Sequence, residues 1–309
     1  MSREKPRNLA ASVRQRLFNR AQERREDFGL VLTKYCLERF LYRLSQSEYR
    51  DQFVLKGALL FELWTHRPYR PTRDLDLSTQ GDNSAARITK VFRDVIAQNT
   101  EADGLVFDPK SIQVAKIKAE EEYEGLRVKF LARLERARIS LQVDIGFGDV
   151  IVPSPRKITY PGMLDFPTAR LRAYPRESVV AEKLEALVKL GMTNTRMKDF
   201  YDLWILSREF EFSGPSLRKA IEATFQRRRT EIPASRPLAL TKEFFDDPRK
   251  AGQWRAFVKK SKLDHNRAEL DRVIRDLNIF LLSPLEAVRA GEPFTMHWPK
   301  SGPWQPPTS

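Results

Sequence analysis

The stretch Arg73-Asp74-Leu75-Asp76-Leu77, preceded by Lys56-Gly57-Ala58-Leu59-Leu60, decides the fold of this chain. In the Arg73–Leu77 stretch apolar and acidic residues alternate with the period of two expected of a half-buried strand. Leu75 and Leu77 then face a core, and Asp74 and Asp76 project together from the other face. Two carboxylates at i and i+2 on a strand can hold a hard divalent cation, Mg²⁺ or Mn²⁺, which takes oxygen ligands and bridges to phosphate. Upstream, the apolar run Phe53-Val54-Leu55 breaks at Lys56-Gly57, and Ala58 to Trp64 reads as a helix. A strand, a glycine turn and a helix in that order aim backbone N–H groups at an anion.

Around this pair the pattern mixes helix and strand. Residues 8–44 and 84–98 carry helical spacing, and strand-like runs follow at Ser111 to Lys118, Leu126 to Leu134 and Ile139 to Ile145. In the last run Ile139, Leu141, Val143 and Ile145 point one way, and Ser140, Gln142 and Asp144 point the other. Asp144 would join Asp74 and Asp76 if the two strands are neighbours, and three such carboxylates could hold two Mg²⁺ ions. It could equally be a cap ahead of the turn Gly146-Phe147-Gly148-Asp149. These elements predict an α+β domain over 1–165. Pro153 to Pro175 reads as a proline-punctuated connector, and residues 166–309 as a helical C-terminal domain. Its helices are expected at 177–191, 196–208, 214–229, 246–261 and 264–282, before an extended proline-rich tail.

Composition narrows the class of function. The 309 residues carry 55 Lys+Arg against 41 Asp+Glu, a net charge of +14. Such an excess favours a polyanionic partner, because neutralising phosphates releases their counterions. Basic clusters at Arg14, Arg16, Arg20, Arg24 and Arg25, at Arg227-Arg228-Arg229, and at Lys259, Lys260 and Lys262 each read alone as a solvated helix face. Together they point to nucleic acid. Cys36 is the single cysteine, which excludes an intramolecular disulfide and a multi-cysteine zinc site. His66, His265 and His297 are scattered without ligand spacing, so histidine-based catalysis and transition-metal sites are poor candidates. No run approaches the ~20 apolar residues that span a bilayer, and the charged N-terminus lacks a signal-peptide core. The expectation is a cytoplasmic protein, and a monomer in the absence of an apolar seam.

A second polar constellation lies in the C-terminal half. Lys183, in Ala181-Glu182-Lys183, borders the apolar stripe Val179, Val180, Leu184, Leu187 and Val188, where a lysine can snorkel or reach a phosphate. In Arg196-Met197-Lys198-Asp199-Phe200-Tyr201-Asp202-Leu203, Asp199 and Asp202 are spaced i, i+3 and share one side of a helix. Arg196 and Lys198 could bind a triphosphate or tRNA, or pair with Glu182 and Asp199. Arg73 could pair with Asp76 or touch a substrate phosphate.

Lys56-Gly57-Ala58, Arg73-x-x-Asp76, Asp144, Ala181-Glu182-Lys183 and Arg196-x-Lys198-Asp199-x-x-Asp202-Leu203, in this order and spacing, resemble the AbiEii-type nucleotidyltransferase toxins (AbiEii/AbiGii, MenT-like) over residues 50–206. The resemblance implies a DNA-polymerase-β-like nucleotidyltransferase domain with a mixed sheet, followed by an α-helical domain that contributes Lys183 and Asp202 to the active site. It implies Asp74 and Asp76 as metal ligands, joined by Asp144, and Lys183 as a contact to the nucleotide. Lys56, Gly57, Ala58, Arg73, Arg196 and Lys198 would line the nucleotide site, and Asp202 would complete the catalytic set. The implied reaction moves NMP from an NTP, a pyrimidine nucleotide, to the 3′ acceptor end of tRNA, blocking aminoacylation and translation. The implied partner is an AbiEi-type antitoxin, acting by contact, as a transcriptional repressor, or as a kinase on a hydroxyl such as Ser78 or Thr72. One departure stands out: such enzymes usually carry Gly-Ser ahead of the carboxylates, and this chain has Gly57-Ala58. Phosphate contact would then fall to backbone N–H groups, Lys56 or Thr72. The alternatives are transfer to a small-molecule or protein hydroxyl, and a non-catalytic nucleic-acid-binding module.

Overall fold

The computed structural model describes residues 8–65, 71–117, 125–263 and 269–307. The chain forms two compact units, Met1–Asp149 with Arg156–Ala173, and Val150–Pro155 with Tyr174–Ser309. The first contains, in order, α1 (Leu9–Arg24), α2 (Phe28–Gln46), β1 (Phe53–Lys56), α3 (Leu59–Thr65), β2 (Asp74–Thr79), α4 (Ala85–Ile96), β3 (Leu105–Ile117), β4 (Gly125–Leu134), β5 (Ala137–Phe147), β6 (Arg156–Thr159) and β7 (Arg170–Ala173). Among the described residues these strands make one seven-stranded sheet in the order β3-β4-β5-β2-β1-β7-β6. It is mixed, because β2–β5 and β1–β7 are parallel and the other pairs antiparallel.

Alternation decides which face is core. Along β5, Ile139, Leu141, Val143 and Ile145 are buried while Ser140 is exposed, and along β2 Leu75 and Leu77 are buried. Helices α2 and α4 supply the opposing layer. Phe40 of α2 stacks on Phe92 of α4 with ring centroids 5.1 Å apart and tilts over Phe130 of β4 at 5.3 Å. Ser84 caps α4, its side chain accepting from the Arg87 N–H. Beneath α2, Asp103 accepts from Arg39 Nε at 2.9 Å and Arg43 Nη1 at 2.6 Å, both arginines being buried. Burial pushes the Asp103 carboxyl up, and Arg43 and then Arg39 more than reverse that, leaving it below the ordinary aspartate range. This ion pair ties α2 to the turn that leads into β3.

The residues read from sequence as a connector include two strands. Lys157 pairs with Arg172 and Thr159 with Arg170, while Val54 and Leu55 of β1 take Arg172 and Ala173 as parallel neighbours. The expected break at residue 165 therefore falls within a segment, 156–173, that hydrogen bonding keeps with the sheet.

The second unit is mainly helical: α5 (Arg176–Leu190), α6 (Met197–Glu209), α7 (Gly214–Arg228), α8 (Lys242–Asp246), α9 (Pro248–Lys260) and α10 (Leu270–Ala290), with the two-residue strands β8 (Phe212–Ser213) and β9 (His297–Trp298). Val180, Leu184, Phe200, Leu203, Ile221, Phe244, Ile274 and Leu277 fill its core. The tail after α10 is pinned rather than trailing. β9 pairs with β8, Trp298 is 3% exposed, and the Trp304 ring stacks parallel to Phe280 at 6.0 Å. The proline spacing gave no sign of this, because the anchors are two tryptophans. α10 also runs past the expected end at 282, with Pro284 inside it. Its expected start at 264 lies outside the described residues, as do His66 and His265. No helix among those described is long and apolar enough to cross a membrane.

Candidate active site

On the first unit's sheet, register places four polar residues in one row. Lys56 of β1 is the antiparallel partner of Asp76 on β2, Asp76 the parallel partner of Asp144 on β5, and Asp144 the antiparallel partner of Arg127 on β4. Directly paired residues point to one face, so the row reads cation, carboxylate, carboxylate, cation. Asp74 lies one pleat away on the same face, opposite Gln142. Leu75 and Leu77, facing the core, lock this orientation, since a one-residue slip would bury both carboxylates.

The row is unequal in its commitments. Arg127 grips Asp144 through two hydrogen bonds, Nε to Oδ1 at 2.8 Å and Nη2 to Oδ2 at 2.7 Å, the fork geometry in which arginine binds carboxylate most strongly. The guanidinium pKa is raised, first by that bond and then by the charges of Asp144, Asp74 and Asp76. Asp144 thus stands beside Asp76, as its strand position allowed, with its carboxylate held by Arg127. Among the described residues no three acidic, histidine or cysteine side chains converge as a ready metal cage. Asp74 and Asp76 are two hard oxygen donors on one strand, a donor set that suits Mg²⁺ completed by water and phosphate oxygens.

Gly57 shapes the space beside Asp76. It adopts φ +75°, and a Cβ there would fall 1.9 Å from Asp76 Oδ2 and 2.6 Å from its Cγ. No residue with a side chain fits without displacing the carboxylate. Ala58 is buried behind the turn. Lys56 Nζ donates to Asp149 Oδ2 at 2.6 Å, and Ser78 Oγ donates to the same oxygen at 3.0 Å. Asp149, 3% exposed, anchors the lysine at the end of its strand.

Arg73 does not reach Asp76 as one reading of the sequence had it. It is exposed and donates to Asp27 Oδ1 at 3.3 Å. Thr72 is half-buried, with its hydroxyl 3.4 Å from the Asp74 carbonyl oxygen. Ser78 is 2% exposed, so a kinase would find Thr72 the more accessible hydroxyl of the two.

The second unit holds the other sequence-derived residues. Lys183 on α5 donates to Asp199 Oδ1 at 2.5 Å and lies 2.7 Å from Asp202 Oδ2, both aspartates on α6 and fully buried. Arg196 Nε stands 2.7 Å from Asp199 Oδ2. Burial alone would raise the Asp199 pKa, but Lys183 and then Arg196 hold it below the ordinary value. The i, i+3 spacing of Asp199 and Asp202 does bring both to one group, and that group is Lys183. Lys198 is exposed.

Sequence reasoning missed Arg127 and Asp149. A signal existed for Arg127: strands β4 and β5 are joined through only Glu135 and Arg136, and counting back from that turn puts Arg127 opposite Asp144. Asp149 meets Lys56 across 93 residues of chain, which no local pattern reports.

A family model described as "Nucleotidyl transferase AbiEii toxin, Type IV TA system" matches residues 39–276. No curated protein matches the chain by sequence. Among solved structures, JHP933 from Helicobacter pylori is similar at 15% identity and a TM-score of 0.49, with 85% of this chain and 94% of that one covered. A putative nucleotidyltransferase from H. pylori is similar at 16% identity and a TM-score of 0.48, covering 85% of this chain and 97% of its own.

Proposed function

The chain belongs to the AbiEii family of nucleotidyl transferase toxins, and on that premise we propose that it transfers NMP from an NTP, a pyrimidine one by the family resemblance, to the 3′ acceptor end of tRNA. The observation that carries this reading is the pairing of Asp74 and Asp76 on one strand face, with Gly57 giving the Asp76 carboxylate room to lie against the turn. The family also implies a cognate antitoxin. The excess of 55 basic over 41 acidic residues supports a polyanionic acceptor such as tRNA.

In the reaction the acceptor hydroxyl oxygen forms a bond to the α-phosphorus and gives up its proton to solvent, the bond from that phosphorus to the bridging oxygen breaks, and pyrophosphate leaves. Asp74 and Asp76 would hold Mg²⁺ (or Mn²⁺), which when bound supplies positive charge at the phosphate oxygens. Arg127 offsets the charge of Asp144, so that Asp76 does not sit beside a bare second carboxylate. Asp149 orients Lys56 at the edge of the row, where its ammonium offers a cation to the triphosphate, as do the backbone N–H groups at the Gly57-Ala58 turn. By the resemblance, Lys183 and Asp202 serve the same reaction from the helical unit, with Arg196 and Lys198 available to anions.

Incubating the protein with total tRNA, Mg²⁺ and each α-labelled NTP in turn tests the proposal. Label in the tRNA band from one or two NTPs, lost in Asp76→Ala, is the expected result. Labelling of a small molecule or protein alone would move the acceptor, and no labelling with any NTP would remove the reaction.

A further inference from the structure

The outer edge of the same sheet carries a basic concavity that the acidic pair does not explain. A cavity of about 500 Å³ is lined by Arg50 and Asp51 from the turn before β1 and by Lys157, Thr159, Arg170 and Arg172 from β6 and β7, with Ser45 and Gln46 of α2 at its side. The register makes Lys157 and Arg172 direct cross-strand partners and Thr159 and Arg170 the next pair on the same face. Like charges placed opposite each other across a ladder destabilise it. Here the fold supplies little relief. Asp51 is the one acid lining the cavity, and it is shared with Arg50, whose Nε lies 3.2 Å from its carboxylate. Arg172 donates to the Asp51 carbonyl oxygen at 2.9 Å. Among the described residues neither Lys157 nor Arg170 has a carboxylate partner.

Three cations of the clusters conspicuous in the sequence behave differently. Arg14 and Arg16 of α1 face Glu135 and Asp165, and Arg228 of α7 pairs with Glu182 and Glu185. Each of those three cations has a carboxylate at 2.6–3.7 Å, which Lys157 and Arg170 lack among the described residues. The register chain puts the Lys157, Arg170 and Arg172 side chains on the sheet face that bears Asp76, since Arg172 is partnered by Val54, Val54 by Ser78, and Ser78 follows Asp76 at i+2; Ser45, Gln46, Ile158 and Leu171 close the cavity from the other side of the edge. A lysine on an edge strand has a second use, since it blocks edge-to-edge aggregation. That use needs charge of either sign and no cavity.

We propose that this concavity binds the phosphodiester backbone of the acceptor polynucleotide, with Lys157 and Arg170 as its principal phosphate contacts. The inference rests on the nucleotidyl-transfer reading only for the word acceptor. Binding of total tRNA is measured by filter retention across a salt series, without NTP, for the wild type, for the double variant Lys157→Glu/Arg170→Glu, and for a control with the same charge change at exposed positions, Lys259→Glu/Lys260→Glu. Charge reversal preserves edge protection, and a thermal melt checks folding. Lys157→Gln/Arg170→Gln is the substitute if the reversal does not fold. The expected result is at least a tenfold loss of affinity at 0.1 M salt in the β6–β7 variant, a salt slope smaller by about 1 to 2, and a much smaller change in the control. Equal losses in both doubles, or wild-type affinity and slope in the β6–β7 double, would overturn the inference. Wild-type transfer to tRNA with unaltered binding in that double would defeat the inference and leave the reaction standing. Binding through the concavity with no transfer from any NTP would do the reverse.

Discussion

The two acidic pairs of this protein, Asp74 with Asp76 and Asp199 with Asp202, differ in what their surroundings leave them to do. Asp199 and Asp202 are fully buried and close on Lys183, with Arg196 beside them. Their charge is neutralised within the fold, so the network holds α5 to α6 as firmly as it could serve a ligand. Asp74 is exposed and Asp76 half-buried, on a strand whose intervening leucines are locked in the core. Their neighbour Asp144 is held by the fork of Arg127. Helical spacing and strand alternation both bring carboxylates together. Burial decides how much of that charge the fold itself answers.

The sharpest way to break this comparison is to delete one acid from each pair. Asp76→Ala is expected to lower transfer by about 10³-fold or more, equivalent to roughly 4 kcal/mol at the transition state, with a melting temperature close to wild type. Asp199→Ala is expected to destabilise the protein by about 3–5 kcal/mol, because it leaves Lys183 buried against less charge. Thermal melts beside initial rates read both, and an Asp199→Ala protein as stable as wild type would end the distinction drawn here. Gly57→Ala tests the space next to Asp76. The added methyl has to displace the carboxylate or the turn, and a loss of transfer of about 10²-fold is expected, with little change in tRNA retention on a filter. Arg127→Met should be milder, lowering transfer about tenfold while lowering the Mg²⁺ concentration needed for half-maximal rate, because the bared Asp144 carboxylate adds negative charge beside Asp76. An unchanged Mg²⁺ dependence would show that the arginine serves the sheet alone.

How much of this was legible in the chain follows from the range of the interactions. Alternation in β2 and β5 and the stripe of α4 are local, and they were readable with their faces correctly assigned. The placement of Asp144 beside Asp76 was readable only as a condition, because a parallel pairing between β2 and β5 joins residues far apart in sequence. β6 and β7 escaped notice because each is four residues long, rich in arginine and lysine, and set among prolines that read as connector. The tail was misjudged for the opposite reason: its prolines were conspicuous and the packing of Trp298 and Trp304 on Phe280 was not. In the candidate site, Asp74, Asp76 and Asp144 could be read from type and spacing, and Arg127 and Asp149, placed by distant contacts, could not.

A pH-dependent effect on stability alone separates ordinary burial from function. Glu38 on α2 is 3% exposed and accepts one hydrogen bond, from the Met163 N–H at 2.8 Å. Burial pushes its carboxyl up to about 7 from an ordinary 4.5. With the folded value above the unfolded one, this group's contribution is fully present below pH 4.5 and is lost as pH rises through about 7. Glu38→Gln should therefore gain stability relative to wild type between pH 5 and pH 8, by on the order of 3 kcal/mol. Urea melts at the two pH values measure it, and a difference that does not change with pH would assign Glu38 an ordinary surface-like titration.

The most direct test of the central claim is the rate of labelled-nucleotide incorporation into tRNA by wild type and Asp76→Ala across a Mg²⁺ titration, with a thermal melt of each protein. The account predicts Mg²⁺-dependent incorporation from one or two NTPs by the wild type and none by an equally stable Asp76→Ala. Incorporation that survives in Asp76→Ala, or that proceeds equally well in EDTA, would contradict it.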